Sequence, residues 1–87
     1  MTIAVPEPFA LALGALGWIL ESEARANRLL DLTGLTPERL RAGLADPSVL
    51  VAVLEFLAAH EPDLVACAEE LGVEPPVLIA AKEELSR

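Results

Sequence analysis

Apolar residues along this chain recur at helical spacing, and proline cuts the pattern into short pieces. Leu64, Ala68 and Leu71 lie three or four positions apart, as do Leu78, Ala81 and Leu85. Each set therefore falls on one face of a helix. In the first apolar stretch, Phe9, Leu13, Leu16 and Leu20 form a stripe, and Leu11, Trp18 and Ile19 widen it. Ala10, Gly14 and Gly17 form a third face with almost no side chain, which permits close approach of another helix at the cost of helix propensity. Leu50, Val51, Val53, Leu54, Phe56 and Leu57 cover most of a later helix. A helix apolar on all sides is usually buried on all sides, so this one is predicted to be the centre.

The starts of these helices are written in proline. Glu7-Pro8, Thr36-Pro37, Asp46-Pro47, Glu61-Pro62 and Glu74-Pro75 each place proline where a helix opens. There its missing N–H has no intrahelical partner and its φ is already helical, while the residue before it is pushed out of helical geometry. Ser22 opens one further helix without proline. Thr36 and Asp46 offer side-chain caps; Glu7, Glu61 and Glu74 offer mainly charge to the positive helix end. The predicted helices span residues 8–20, 23–32, 37–45, 47–59, 62–71 and 75–85. The fold class is all-α: a compact bundle of five to six short helices around a central apolar helix at residues 47–59. Residues 1–6 read as a mobile N-terminal arm, and residues 7–87 as a single helical domain.

One phrase occurs twice. Gly34-Leu35-Thr36-Pro37 continues to Leu40 and Ala42, and Gly72-Val73-Glu74-Pro75 continues to Leu78 and Ala80. Glycine supplies a left-handed residue that ends one helix, and the next apolar residue packs back on the last turn. Leu35 is thus expected against Leu30, and Val73 against Ala68. Two helix pairs using the same turn grammar are the favoured reading, and a duplicated unit is the alternative.

Composition sharpens the picture. Hydrophobic residues make up 54% of the 87, more than a lone small core usually consumes. The net charge is −8, and the residues after Leu54 carry eight acids against Lys82 and Arg87. Such a balance favours solubility and repels phosphate backbones, which argues against nucleic acid and anionic membranes. Cys67 is the single cysteine, so a disulfide scaffold is excluded and a reducing, cytoplasmic location is expected. The run from Phe9 to Leu20 lacks the upstream Lys or Arg of a signal peptide and is too short to span a bilayer.

Candidate chemistry is thin. His60 and Cys67 are the only nucleophile-and-base materials, and Cys67 lies between Ala66 and Ala68 as a small buried hydrophobe would. His60 is read as the end of the fourth helix, where an imidazolium suits the dipole. One His and one Cys make no zinc set. Glu69-Glu70 and Glu83-Glu84 are adjacent on helices, point about 100° apart, and read as solvated acidic faces. No phosphate loop or nucleotide fingerprint is present. A helix-turn-helix reading of Ala68, Gly72 and Leu78 would put Pro76, Ile79, Lys82, Glu83 and Glu84 on the recognition helix, a poor set for base edges. Arg25, Arg28, Arg39 and Arg41 read as members of surface ion pairs.

The stretches Arg28-Leu29-Leu30-Asp31-Leu32-Thr33-Gly34-Leu35-Thr36-Pro37, Asp46-Pro47 with its apolar helix, and His60-Glu61-Pro62-Asp63-Leu64 carry a resemblance. Over residues 13–85 the chain resembles a family of small alphaproteobacterial proteins of unknown function, the domain of unknown function 3572. Ser22-Glu23 departs from the Asp-Pro start expected there, although serine caps equally well. The resemblance implies a bacterial, cytoplasmic protein and carries over no activity, cofactor or binding residue.

Function is therefore argued from surplus apolar surface. The expected protein is non-enzymatic, without cofactor, metal or evident small-molecule substrate. It serves protein–protein association, with another protein or with itself, and nucleic-acid binding by a helix-turn-helix is the alternative. The first helix must be covered either by the protein's own core or by a partner, and in the second case it supplies the candidate interaction surface at Phe9, Leu13, Leu16, Trp18 and Leu20.

Overall fold

Proline sits in the first or second position of five helices, and the chain enters each of them from a non-helical residue. In the computed structural model, which describes residues 7–87, the order is α1 (Pro8–Leu20), α2 (Glu23–Thr33), α3 (Pro37–Ala42), α4 (Pro47–Ala58), α5 (Glu61–Leu71) and α6 (Pro75–Leu85). No strand occurs among the described residues, and the all-α expectation holds. The arm expected over residues 1–6 lies outside the described residues.

Side-chain caps secure four of the starts. Phe9 N–H donates to the Glu7 carboxylate at 3.2 Å, so Glu7 caps by its oxygen as well as its charge. Arg25 N–H donates to Ser22 Oγ and Arg39 N–H to Thr36 Oγ1. Asp46 accepts from Ser48 N–H at 2.9 Å and from the Ser48 hydroxyl at 2.8 Å, and pairs with Arg39 at 3.0 Å. The Ser48 hydrogen bonds, with Arg39 beside them, hold the Asp46 carboxyl below its usual value of 3.8. A depressed folded-state pKa means stability that is present at neutral pH and lost as pH falls through that folded value. Urea unfolding of wild type and Asp46→Asn is expected to differ at neutral pH and to converge in acid. A difference that persists unchanged below the folded pKa would show that the charge contributes nothing.

Four boundaries differ from the sequence expectation: α2 runs one residue further, to Thr33, α4 stops one residue earlier, at Ala58, α5 begins one residue earlier, at Glu61, and α3 is shorter by three. α3 stops at Ala42 instead of running to residue 45, because Gly43 is a buried corner. A Cβ there would come within 2.5 Å of Val49 Cγ2 and 3.1 Å of the Arg39 carbonyl oxygen. Asp46 N–H then donates to the Gly43 carbonyl, which turns the chain into α4. His60 does not end α4; it is the extended residue that opens α5, and its carbonyl accepts from Asp63 and Leu64.

The twice-used glycine phrase closes in two ways. Gly34 and Gly72 both adopt left-handed backbone, with φ of 73° and 72°. At Gly72, Val73 N–H reaches the Ala68 carbonyl and Gly72 N–H the Glu69 carbonyl, a complete Schellman pair. At Gly34 a single bond runs back to Leu30, and Leu35 N–H is taken by the Thr33 hydroxyl, itself bonded to the Leu29 carbonyl. Leu30, Leu35 and Val73 all pack against the core.

That core is shared by two helices rather than owned by one. α4 packs against α1, α2, α5 and α6, as expected of the centre, and α1 packs against α2, α4, α5 and α6. Ile19, Leu29, Leu50, Val53, Leu54, Leu57, Cys67 and Leu78 are fully buried. Each large aliphatic among them contributes about 1.5–3 kcal/mol of burial.

Candidate functional site

The first helix has no charged residue, and Trp18 holds its one side-chain hydrogen-bond donor. Sequence alone could not say which side faces water. The structure divides the expected surface set between two faces. Leu16 and Trp18 turn inward with 3% and 9% exposure, beside Leu11, Ala12, Ala15 and Ile19. Leu13 and Leu20 turn outward with 42% and 51% exposure, and Phe9 is half-buried. Ala10 and Gly17 are exposed with the two leucines, so Ala10, Leu13, Gly17 and Leu20 make a continuous outer stripe.

The glycines of α1 have opposite uses. At Gly14 a Cβ would sit 3.0 Å from the Leu71 side chain, so its absence lets α1 lie close on α5. At Gly17 a Cβ would meet nothing within 4 Å, which leaves a notch on the outer stripe. At its C-terminal end the stripe runs into a groove between α1, α2 and α3. Leu16, Leu20, Leu30, Leu40 and Leu44 line it, with Arg41 among them. Leu44 is 42% exposed, so the groove carries the apolar surface beyond the helix itself.

The four arginines of α2 and α3 are not equivalent. Arg28 pairs with Asp63 across to α5 and lies 5.6 Å from the Phe56 ring. Arg39 pairs with Asp46. Arg25 stacks on Trp18 at 3.7 Å and donates to the Trp18 carbonyl, closing the turn between α1 and α2. Arg41 alone of the four has neither an ion pair nor an aromatic partner among the described residues.

The groups with catalytic chemistry stay apart. His60 is exposed at the start of α5, and Cys67 is buried two turns on, roughly 10 Å along the axis. That spacing is too long for a base to take a proton from the thiol. Burial pushes the Cys67 thiol up to about 11, Asp63 adds to the rise, and Arg25 offsets part of it. Alkylation of Cys67 at neutral pH is expected to be at least about 100-fold slower in the folded protein than in urea. Equal rates would show a thiol open to chemistry. Glu69, Glu70, Glu83 and Glu84 are all exposed. Among the described residues no three His, Cys, Asp or Glu side chains converge as metal ligands. On α6, Pro76 is exposed with the two glutamates, while Ile79 and Lys82 are half-buried. No helix among the described residues is long and apolar enough to cross a membrane.

No curated protein and no solved structure matches the chain. A family match covers residues 6–87, and by it the chain belongs to the family described as "Protein of unknown function (DUF3572)".

Proposed function

We propose that this protein is a non-catalytic protein-association module whose docking face is the outer stripe of α1 with the adjoining leucine groove. One observation carries the reading. Ala10, Leu13, Gly17 and Leu20 face water along a helix that has no charged side chain. Water-facing sides of helices are ordinarily polar, and contiguous apolar patches mark association surfaces. The groove beside Leu20 and Leu44 extends the patch. The buried, high-pKa Cys67 supports no nucleophilic role, and a single free thiol suits a reducing cytoplasm.

The test uses Leu13→Glu/Leu20→Glu, a double variant at exposed positions that keeps the fold. Immobilised wild type is expected to retain a specific protein, a second copy or another chain from extract of its own cells, which the double variant releases. Retention of the same species by both chains, or by neither, would remove α1 as a docking face.

A further inference from the structure

We infer that α3, between Gly34 and Gly43, is a flap over the leucine groove that opens as a unit while the other five helices stay folded. The inference stands apart from the association reading, since such a flap opens the same way whether or not a partner lies on α1.

The hold of the bundle on α3 is slight. Among the described residues α3 packs along its length against no other helix, whereas the other five each pack against two or more. Leu40 is its one buried side chain, and Pro37, Glu38, Arg39, Arg41 and Ala42 are exposed. A helix of six residues does not persist in water by itself. Leu40 must therefore hold it, with the Thr36 cap and the pair of Arg39 with Asp46. That pair reaches solvent on both sides and adds little.

The packing around Leu40 is loose. Leu40 and Leu44 share with Leu16 and Leu30 the lining of a groove of about 230 Å³, room enough for several water molecules. On α4, by contrast, Leu50, Val53 and Leu57 are fully buried among neighbouring helices. Parting Leu40 from its surroundings breaks no interdigitated layer of that kind.

Glycine stands on either side of the helix. Gly34 has left-handed backbone, and nothing lies within 4 Å of where its Cβ would be, so the chain has room to turn there. Gly43 lies directly on Val49 of α4, which ties the other pivot to the frame. A few residues at element ends are what absorb the backbone change when a segment swings. With the flap open, Leu16 and Leu30 lose the cover of Leu40, and the groove becomes an apolar cleft along α1 and α2. An opening of this size exposes little surface, so it responds weakly to urea.

Amide hydrogen exchange of the whole chain, read residue by residue, tests the flap. Arg41, Ala42 and Gly43 report on it, because each amide is bonded within α3 or at its end. Leu54 and Leu57 report on the bundle. The three α3 amides are expected to exchange with similar protection, at least about 100-fold less than that of α4, and with almost no dependence on low urea. Leu40→Ala is expected to speed all three by roughly 10–30-fold and to keep a cooperative urea transition by circular dichroism. Equal protection and equal urea dependence in α3 and α4 would overturn the flap, since α3 would then open only with the bundle. Three unequal rates that ignore Leu40→Ala would overturn it as well, as simple fraying. A Leu40→Ala chain without a cooperative transition would show that α3 belongs to the common core and would also overturn it.

Discussion

Ile19→Glu is expected to abolish cooperative folding, while Leu20→Glu, one residue on, leaves the fold intact. Ile19 is fully buried and Leu20 is 51% exposed. Removing the Ile19 side chain costs about 2–5 kcal/mol of transfer and cavity energy. An unpaired carboxylate in its place costs several kcal/mol more, whether it stays charged or takes up a proton. A domain of this length has about 4–13 kcal/mol of stability in total, so the combined loss consumes most or all of it. At position 20 the carboxylate stays in water and only part of a leucine's burial is lost. Far-UV circular dichroism across a urea titration separates the two outcomes. A cooperative Ile19→Glu transition near that of wild type would show that α1 is not part of the core.

Leu54→Ala is expected to lower unfolding stability by about 2–5 kcal/mol. Leu54 is 1% exposed on α4, which packs against α1, α2, α5 and α6. Such a site cannot collapse toward solvent to fill the void. The half-buried Val51, on the same helix, loses two carbons where Leu54 loses three and borders open space, so Val51→Ala is expected to cost less than half as much. The readout is the urea midpoint at unchanged slope. A loss below about 1 kcal/mol at Leu54 would displace α4 from the centre.

Much of the fold could be read from the sequence because proline is local. An X-Pro step limits two residues whatever surrounds them, so the starts of α1, α3, α4 and α6 lie where the sequence puts them. The end of α3 is different in kind. Gly43-Leu44-Ala45 reads as continuing helix, and the corner at Gly43, where Val49 lies too close to admit a Cβ, has no sign in the local pattern. The expected site was half legible for a related reason. Faces of a helix are told apart by polar residues, and α1 has almost none, so Phe9, Leu13, Leu16, Trp18 and Leu20 could not be sorted into inside and outside. Nor does sequence distinguish Gly14, which seats Leu71, from Gly17, which seats nothing. The Arg28–Asp63 pair spans 35 positions and has no local sign. Arg25 on Trp18 is nearer, but it depends on the angle of the Ser22 turn between them.

The packing of α1 against α6 has a consequence for synthesis. Of the six helices α1 leaves the ribosome first, yet α4, α5 and α6 are needed to cover its inner face. At about 5–20 residues per second, roughly 3–13 s pass between the end of α1 and the end of α6. Throughout that interval Leu11, Leu16, Trp18 and Ile19 have no complete shelter, so the nascent chain carries exposed apolar surface until α6 is added. Translation halted before α6 would yield an open core rather than a smaller version of the protein, and proteases would clear it quickly.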